Sequence, residues 1–389
     1  MIPFNKPYIT GKEVHHIYGA VATGHISGNG KYTKLCQNYF ERRWGFKKTL
    51  LTTSCTDALE MCALLLDIQS GDEVIMPSYT FVSTALAFVR QGAKVVFCDS
   101  RADHPGMDES KIEALITSKT KAIVPVHYAG VACNMEVIMA LAKKHNLFVV
   151  EDAAQAIDSY YSITSENSPL GKKGTQLPLG SIGHLGCFSF HETKNIQCGE
   201  GGLLTINDEC FKKRAEILWE KGTNRAEFFR GEINKYGWVD TGSSFLPSEV
   251  TAAFLWAQLE ELETIQKRRL EIWNSYNSKL KNWADKNKVQ LAANPEYATQ
   301  NGHMFYLICP SPEFRTALIA TLKQQDVHAV FHYLSLHKSE FYQTKHDSRE
   351  LILSDKYSDC LLRLPMHLSL GTDEMQYIYD AIVGFSNEK

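Results

Sequence analysis

The run LFVVED at residues 147–152 is almost entirely apolar and ends in two carboxylates. Three comparable runs precede it along the chain, namely EVIMP at 73–77, KVVFCD at 94–99 and AIVPVH at 122–127. Nearly continuous apolar runs are typical of parallel strands that are covered on both faces. Helical stretches are predicted between them at 57–66, 82–91, 108–116 and 135–145. This alternation predicts an α/β fold with a mostly parallel central sheet and flanking helices.

The pattern changes towards the end of the chain. Residues 183–190 and 203–207 are predicted to continue the sheet, and a long helix is predicted over 247–280. A smaller α+β unit follows, with strands at 303–309 and 328–333 and helices at 313–325 and 374–385. We therefore predict a large α/β domain over 1–250 and, over 251–389, the long linking helix with a small α+β domain. The polar stretch 162–176 is predicted to be a surface loop.

Composition excludes several classes of protein. The chain has 389 residues, of which 44% are hydrophobic, so disorder is not expected as its main state. Its 41 basic and 44 acidic residues give a net charge of −3, which argues against nucleic-acid binding. No run approaches the roughly 18 apolar residues of a membrane span, and the first residues lack the apolar core of a signal peptide. We expect a cytoplasmic protein without nucleic-acid or membrane partners.

The ten cysteines include no CxxC pair and no spacing typical of zinc ligands. They lie within apolar runs or at scattered positions, as buried reduced thiols do. No metal site is predicted.

The segment GCFSFHETKN at residues 186–195 places Lys194 shortly after a predicted strand that carries Ser189. A desolvated lysine at such a position can form a Schiff base with a carbonyl compound, although most lysines in loops are simply solvated. Asp152 ends the strand at 147–152, where its carboxylate could keep a pyridine nitrogen protonated or could merely cap a helix.

Two further segments could likewise bind a ligand or have an ordinary structural role. The hydroxyl-rich residues 52–56 precede an apolar helix, whose N-terminus can bind a phosphate or be capped in the ordinary way. Phe81, after the strand at 73–77, could cover one face of a planar ligand or belong to the core. Each signal is weak by itself.

The order of these elements along the chain is that of fold-type I pyridoxal-phosphate enzymes. The sequence resembles the sugar-nucleotide aminotransferase family of the DegT/DnrJ/StrS type over essentially its full length. Residues 2–4 with Pro7, 27–30 and 331–333 with His337 also match that family. Within it, six segments most resemble the branch that makes dTDP-4-amino-4,6-dideoxygalactose: 54–60, 77–84, 124–133, 151–155, 187–195 and 220–225.

The resemblance implies roles for individual residues. Lys194 would attach pyridoxal 5'-phosphate covalently and then move the proton. Asp152 would pair with the pyridinium nitrogen, Gln155 would contact the phenolic oxygen and Phe81 would stack on the ring. The residues implied for the phosphate are Thr56, Asp57 through its backbone N–H, and Ser189.

The implied reaction moves an amino group from L-glutamate to the 4-keto group of a nucleotide-linked 4-keto-6-deoxy sugar, in a homodimer with shared active sites. The residues implied for the substrate are His191, Lys221, Asn224, Arg225, His332, Tyr333 and His337. Many relatives supply an asparagine to the neighbouring subunit's phosphate. Leu246 stands at that position here, and Ser243 or Ser244 could substitute for it.

Several alternatives remain open at the level of sequence. The enzyme could form the gluco epimer, or could aminate a 3-keto sugar, since spacing does not reveal the sugar pocket. Sugar dehydratases of this type carry histidine in place of the lysine, so Lys194 argues against that activity. A binding or regulatory protein on the same fold is the alternative outside enzymology.

Overall fold

The runs predicted as strands of the α/β part lie in a seven-stranded sheet in the computed structural model, which describes residues 1–385. The strands are β1 (Thr49–Thr52), β2 (Glu73–Pro77), β3 (Lys94–Cys98), β4 (Thr120–Ile123), β5 (Phe148–Asp152), β6 (Tyr160–Ser162), β7 (Gln176–Pro178), β8 (Leu185–Ser189), β9 (Gly202–Ile206), β10 (Gln290–Leu291), β11 (Tyr306–Ile308), β12 (Val330–Phe331) and β13 (Leu361–Arg363).

The helices lie on both faces of this sheet and around a second sheet. They are α1 (Glu13–Ala22), α2 (Lys31–Trp44), α3 (Cys55–Leu65), α4 (Val82–Val89), α5 (Met135–His145), α6 (Lys212–Trp219), α7 (Arg225–Phe229), α8 (Glu249–Glu260), α9 (Leu262–Lys286), α10 (Pro312–Gln324), α11 (Ile352–Cys360) and α12 (Thr372–Val383).

The large sheet has the strand order β1-β9-β8-β5-β4-β2-β3. β2, β3, β4, β5 and β8 pair in parallel, and β9 runs antiparallel to both of its neighbours. Ser189 at the end of β8 therefore pairs with Gly202 at the start of β9. The predicted fold class, a mostly parallel sheet with flanking helices, is confirmed.

Alternate residues of the strands point into two different apolar clusters, as they must when both faces of a sheet are covered. In β5, Val149 belongs to one cluster and Val150 to the other. A third cluster surrounds the four-stranded sheet β10-β11-β13-β12 and includes Ile2, which pairs with Val327. The domain division at residue 250 stays a prediction.

Two sequence predictions of helices are wrong in detail. Residues 108–116 form two short 3₁₀ turns, at Glu109–Lys111 and Glu113–Leu115, instead of one helix. The Asp108 carboxylate accepts hydrogen bonds from the N–H and hydroxyl of Ser110, and such local bonds compete with a regular helix. The long helix predicted over 247–280 is interrupted at Glu261, whose backbone is not helical (φ −108°, ψ 10°).

The loop predicted at 162–176 connects the two strands of a small hairpin, β6 and β7. In the part of the chain from residue 1 to 385, no helix has both the length and the apolar character needed to cross a membrane.

A fully buried carboxylate holds the end of β5. Glu151 accepts hydrogen bonds from His127 Nε2 (2.9 Å) and from the backbone N–H groups of Gly180 (2.8 Å), Ile182 (2.7 Å) and Gly183 (2.6 Å). The Cys133 N–H donates to the other ring nitrogen of His127, Nδ1 (3.2 Å), so the nitrogen that faces Glu151 is the one that carries a proton.

A second buried carboxylate joins α2 to α8. Glu249, in the first turn of α8, accepts hydrogen bonds from the backbone N–H groups of Gly30 (3.0 Å), Tyr32 (2.6 Å) and Thr33 (3.0 Å). These N–H groups belong to the first turn of α2, where they have no partner within the helix. Negative charge at a helix N-terminus is also favoured by the helix dipole.

We expect Glu249→Ala to lower the free energy of unfolding by about 3 kcal/mol, because it leaves several buried N–H groups without acceptors. Urea denaturation would measure the loss. The control is Glu260→Ala on the same helix, which removes only partly exposed ion pairs with Lys12 and His16 and should change stability by less than about 1 kcal/mol. Equal unfolding midpoints for the two variants would contradict this role.

Candidate active site

A cavity of about 720 Å³ lies at the carboxyl ends of β5 and β8, beside the first turns of α3 and α4. Ligands of open α/β sheets bind at this edge. The cavity brings together most of the residues singled out from the sequence. They are Thr56, Phe81, Asp152, Gln155, Ser189, His191, Lys194, His332 and Tyr333.

Lys194 projects from the loop after β8, and its amine makes no hydrogen bond or ion pair with any residue between 1 and 385. Burial lowers the pKa of this amine, and the positive charge of Arg363 lowers it further, while Cys55 and Asp152 act in the opposite direction. A lowered pKa increases the fraction of the amine that is uncharged, and the uncharged amine is the form that acts as a nucleophile and accepts a proton.

The next residue anchors the loop that carries Lys194. The buried side-chain amide of Asn195 donates to Gln266 Oε1 (2.8 Å) and to the Asn301 carbonyl (2.9 Å), and its oxygen faces His303 Nδ1 (2.9 Å). These partners come from α9 and from the segment before β11, so the position of Lys194 depends on both parts of the chain.

Asp152 is buried at the end of β5, and its two carboxylate oxygens are each held by a donor. Thr84 Oγ1 donates to Oδ2 (2.7 Å) and the Ala154 N–H donates to Oδ1 (3.2 Å). Burial raises the pKa of this carboxyl, although the bond from Thr84 opposes the shift. The carboxylate is thus oriented and poorly solvated, an environment that strengthens its attraction for a facing cation.

Hydroxyl groups line the cavity at the start of α3. Thr56 and Ser83 are hydrogen-bonded to each other (2.8 Å), and Ser189 lines the same cavity. Asp57 does not line the cavity, and its backbone N–H donates to the Ser54 side chain (3.0 Å), which caps the helix. The predicted bond from the Asp57 N–H to a phosphate would have to replace that cap.

Aromatic rings form another wall. Phe81 is 56% exposed, and its ring centroid lies 6.0 Å from that of Tyr333. Tyr333 stacks on His332 with a centroid separation of 3.5 Å, and it receives a hydrogen bond from Gln155 Nε2 (3.0 Å). The Gln155 oxygen accepts the N–H of Ala129 (2.6 Å), so this amide is already oriented.

Four predicted substrate residues do not line this cavity. Lys221 and Arg225 line a separate cavity of about 560 Å³, which also includes Leu246. Asn224 accepts a hydrogen bond from the Gly237 N–H (2.9 Å). His337 is buried against Ser78, with 2.8 Å between its Nδ1 and the hydroxyl oxygen.

Sequence reasoning missed several residues of the first cavity. Thr84 lies in the hydroxyl-rich segment 78–84, so that run could have pointed to it. Arg269, His303 and Arg363 also line the cavity. They come from α9, from the segment before β11 and from β13, where no local motif indicates a site.

Comparisons with known proteins agree with this geometry. Residues 7–383 match the model of the DegT/DnrJ/EryC1/StrS aminotransferase family. The spore coat polysaccharide biosynthesis protein SpsC of Bacillus subtilis (strain 168) is 29% identical over 98% of this chain and 96% of its own length.

Two solved structures have the same architecture. The putative sugar aminotransferase Spr1654 of Streptococcus pneumoniae, in its PMP form, has a TM-score of 0.87 with 25% identity over 99% of this chain and 98% of its own. DesV of S. venezuelae has a TM-score of 0.86 with 25% identity over 100% of this chain and 99% of its own. Spr1654 is also known in a PLP form.

The cavity fits pyridoxal phosphate, which is the cofactor of this chain. It combines a lysine amine that has no partner within residues 1–385, a buried carboxylate with two fixed donors and a group of hydroxyls beside the N-terminus of α3. These are the groups that an aldehyde, a pyridine nitrogen and a phosphate require.

We expect Asp152→Asn to lower turnover by at least about a hundredfold, because an amide cannot hold a ring nitrogen protonated by its charge. Steady-state kinetics would measure the loss, and absorbance of the dialysed protein would show that cofactor is still bound. Asp158→Asn makes the same chemical change six residues later, outside the cavity, and should keep near wild-type turnover. Similar rates for both variants would refute the role of Asp152.

Proposed function

This chain belongs to the DegT/DnrJ/EryC1/StrS aminotransferase family, and on that premise we propose that it transfers the amino group of L-glutamate to the 4-keto group of a nucleotide-linked 4-keto-6-deoxy sugar. It is a pyridoxal-phosphate sugar aminotransferase. The observation that carries the proposal is that one cavity contains both the amine of Lys194, which has no partner in the described part of the chain, and the fixed carboxylate of Asp152.

When bound, pyridoxal phosphate supplies an electron sink for the carbon that loses its proton. The residues of this chain do the rest. Lys194 would take the proton from the α-carbon of the amino donor and, in the second half-reaction, would deliver a proton to carbon 4 of the sugar, because its lowered pKa lets the amine act as base and its ammonium act as acid. The Asp152 carboxylate would hold the ring nitrogen, and Phe81 would cover the ring. Thr56 and Ser189 would bind the phosphate through their hydroxyls.

For the substrate we propose dTDP-4-keto-6-deoxyglucose and, as product, dTDP-4-amino-4,6-dideoxygalactose. The support is the resemblance of six segments, among them 187–195 and 220–225, to the branch of the family that makes this product. The product would serve a bacterial surface polysaccharide, in keeping with the name of SpsC. We place the reaction in the cytoplasm, where the ten free cysteines of the protein would stay reduced.

We propose further that the active enzyme is a homodimer, in which Lys221, Asn224 and Arg225 serve the partner's site. In one chain, Lys221 and Arg225 line a cavity separate from that of Lys194, so they need a second copy to reach a substrate. Exposed apolar side chains at helical spacing on α1 support such an interface: Val14, Tyr18 and Val21.

The product test uses purified holoenzyme with L-glutamate and dTDP-4-keto-6-deoxyglucose. Proton NMR couplings should show an axial amine at carbon 4, and Lys194→Ala should give no turnover while still binding the cofactor. An equatorial amine would reject the galacto product in favour of its gluco epimer. Activity only on the 3-keto isomer would reject carbon 4, and binding without turnover by the wild type would favour a binding protein.

Sharing of sites between chains can be tested by mixing two inactive variants, Lys194→Ala and Arg225→Ala. In dimers assembled at random from equal amounts, about a quarter of all sites combine a wild-type lysine with a wild-type arginine. Activity should recover to that fraction when both variants are co-expressed with different tags. Activity no higher than the mean of the two pure variants would show that each chain builds its own site.

A further inference from the structure

One wall of the first cavity is made by a single segment, residues 331–337, which begins at the end of β12. It contributes His332 and Tyr333 to the lining. Tyr333 has a left-handed backbone (φ +44°), which a residue with a Cβ rarely adopts. Such a conformation persists only where surrounding contacts hold it, so the shape of this wall depends on what fastens the segment.

The end of β2 fastens the segment on both sides of that tyrosine. Ser78 follows the last residue of β2, and its carbonyl accepts the N–H of Leu336 (3.0 Å). The hydroxyl oxygen of Ser78 accepts the N–H of His337 (3.2 Å). Before the tyrosine, the hydroxyl of Tyr79 donates to the His332 carbonyl (2.7 Å). The wall is therefore supported from the large sheet.

The ring of His337 adds a side-chain bond to this contact. Its Nδ1 lies 2.8 Å from Ser78 Oγ, and its Nε2 lies 3.5 Å from Asp355 Oδ1, on α11. Because the serine oxygen already accepts a backbone N–H, its own hydrogen is free to donate to Nδ1. The ring proton is then on Nε2, facing the carboxylate. The serine is fully buried, and its hydroxyl has no other acceptor among residues 1–385.

The surroundings favour the neutral form of this ring, which is the form that can accept a hydrogen bond. Burial lowers the pKa of His337, and the nearby His346 and Lys338 lower it further. Asp355 and Asp99 act in the opposite direction without reversing the shift. A protonated ring would donate from both nitrogens and would leave the serine hydrogen without an acceptor.

The order Ser78, His337, Asp355 is also that of a hydrolase triad, but the geometry does not support that use. In such triads the serine faces Nε2 and the carboxylate faces Nδ1, whereas here the two are exchanged. Ser78 is also fully buried and is not part of the lining of the first cavity, so a substrate carbonyl cannot reach its hydroxyl. The three residues act within the fold.

We propose that His337 is a positioning residue, which holds Tyr333 in place for the keto sugar through its hydrogen bond with Ser78. The inference rests on the proposed function. From the cavity side, Gln155 Nε2 donates to the Tyr333 hydroxyl (3.0 Å), so the ring is oriented there as well. The serine–histidine bond fixes the backbone behind it. A displacement of about 1 Å at a group that positions a substrate can cost a factor of about 100 in rate.

The effect should be confined to the half-reaction that uses the sugar. Lys194 and Asp152 serve both half-reactions, and they are positioned through contacts of Asn195 and Thr84. None of these contacts involves residues 331–337. Loosening that segment should therefore leave the reaction with L-glutamate intact.

The test compares two substitutions of His337 in the holoenzyme. The amide of His337→Gln reaches towards Asp355 and not Ser78, whereas the shorter amide of His337→Asn lies at the position of Nδ1 and can accept from the serine. His337→Gln should raise KM for the nucleotide sugar by about tenfold, the effect of leaving one buried hydroxyl without its acceptor, and should change kcat less than about threefold. His337→Asn should restore this KM to within about threefold of the wild type.

Two measurements separate this role from a general one. Single-turnover absorbance with L-glutamate alone follows the first half-reaction, whose rate should stay within about twofold in both variants. Calorimetric titration with dTDP, which lacks the sugar, should give an unchanged affinity. The matched control is His346→Gln, the same change at a neighbouring ring that contacts the Arg349 carbonyl (2.8 Å), and it should leave KM for the sugar unchanged.

Equal losses in both half-reactions would overturn the inference, because His337 would then support the fold in general. An unchanged KM for the sugar in a folded His337→Gln variant would overturn it as well. If that variant fails to fold, Ser78→Ala removes the same bond with a smaller change and is assayed in the same way.

A crystal structure of the variant gives a readout that does not depend on the substrate. Tyr333 should leave the position that it has in the wild type, and retention of that position would overturn the inference. If the wild type takes the amino group from glutamate but aminates no keto sugar, the proposed function fails. The position of Tyr333 in the variant then decides by itself whether the histidine holds this wall.

Discussion

Four hydrogen bonds converge on the buried carboxylate of Glu151, one from the ring of His127 and three from the backbone turn at residues 180–183. A buried charge is tolerated only when its acceptor positions are filled, so β5, the segment after β4 and the turn before β8 keep one relative position. Asp152 follows directly and points to the opposite side. Of two adjacent carboxylates, one fixes the edge of the sheet and the other faces the cavity.

The lysine of the site depends on an equally specific set of polar contacts. Asn195 connects the loop after β8 to Gln266, Asn301 and His303, which belong to the later part of the chain. The acidic group and the amine are thus positioned by different elements. The cavity exists because the two sets of contacts are satisfied at the same time.

Much of this architecture is predictable from local sequence, and the reason is physical. β2 and α5 lie where the sequence pattern predicts them, because the continuous apolar run of β2 and the helical spacing of apolar residues in α5 are both local features of the sequence. The helix predicted at 108–116 fails because the Asp108 side chain competes for backbone N–H groups, an effect that hydrophobic spacing does not register.

The residues of the site also divide into those that local sequence indicates and those that only the folded chain brings together. Asp152 and Ser189 are the last residues of their strands and Lys194 follows shortly after one, so a topological rule brings them to one edge of the sheet. Arg363 sits in an apolar strand far away in sequence and becomes part of the cavity only when the second sheet packs beside the first. Lys221 and Arg225 line a different cavity for the same reason, since no local pattern determines which surface they reach.

The reversal of direction at β9 has a consequence for the loop that carries Lys194. Because Ser189 pairs with Gly202, both ends of this loop are fastened at a single point of the sheet. A Cβ at Gly202 would collide with the Ser54 backbone, so glycine also lets the start of α3 approach that point. Insertions or deletions in the loop would therefore change how deeply the amine reaches while leaving the sheet's hydrogen bonding intact. The distance that the Lys194 amine reaches into the cavity can therefore change during evolution while the pairing of β8 with β9 is kept.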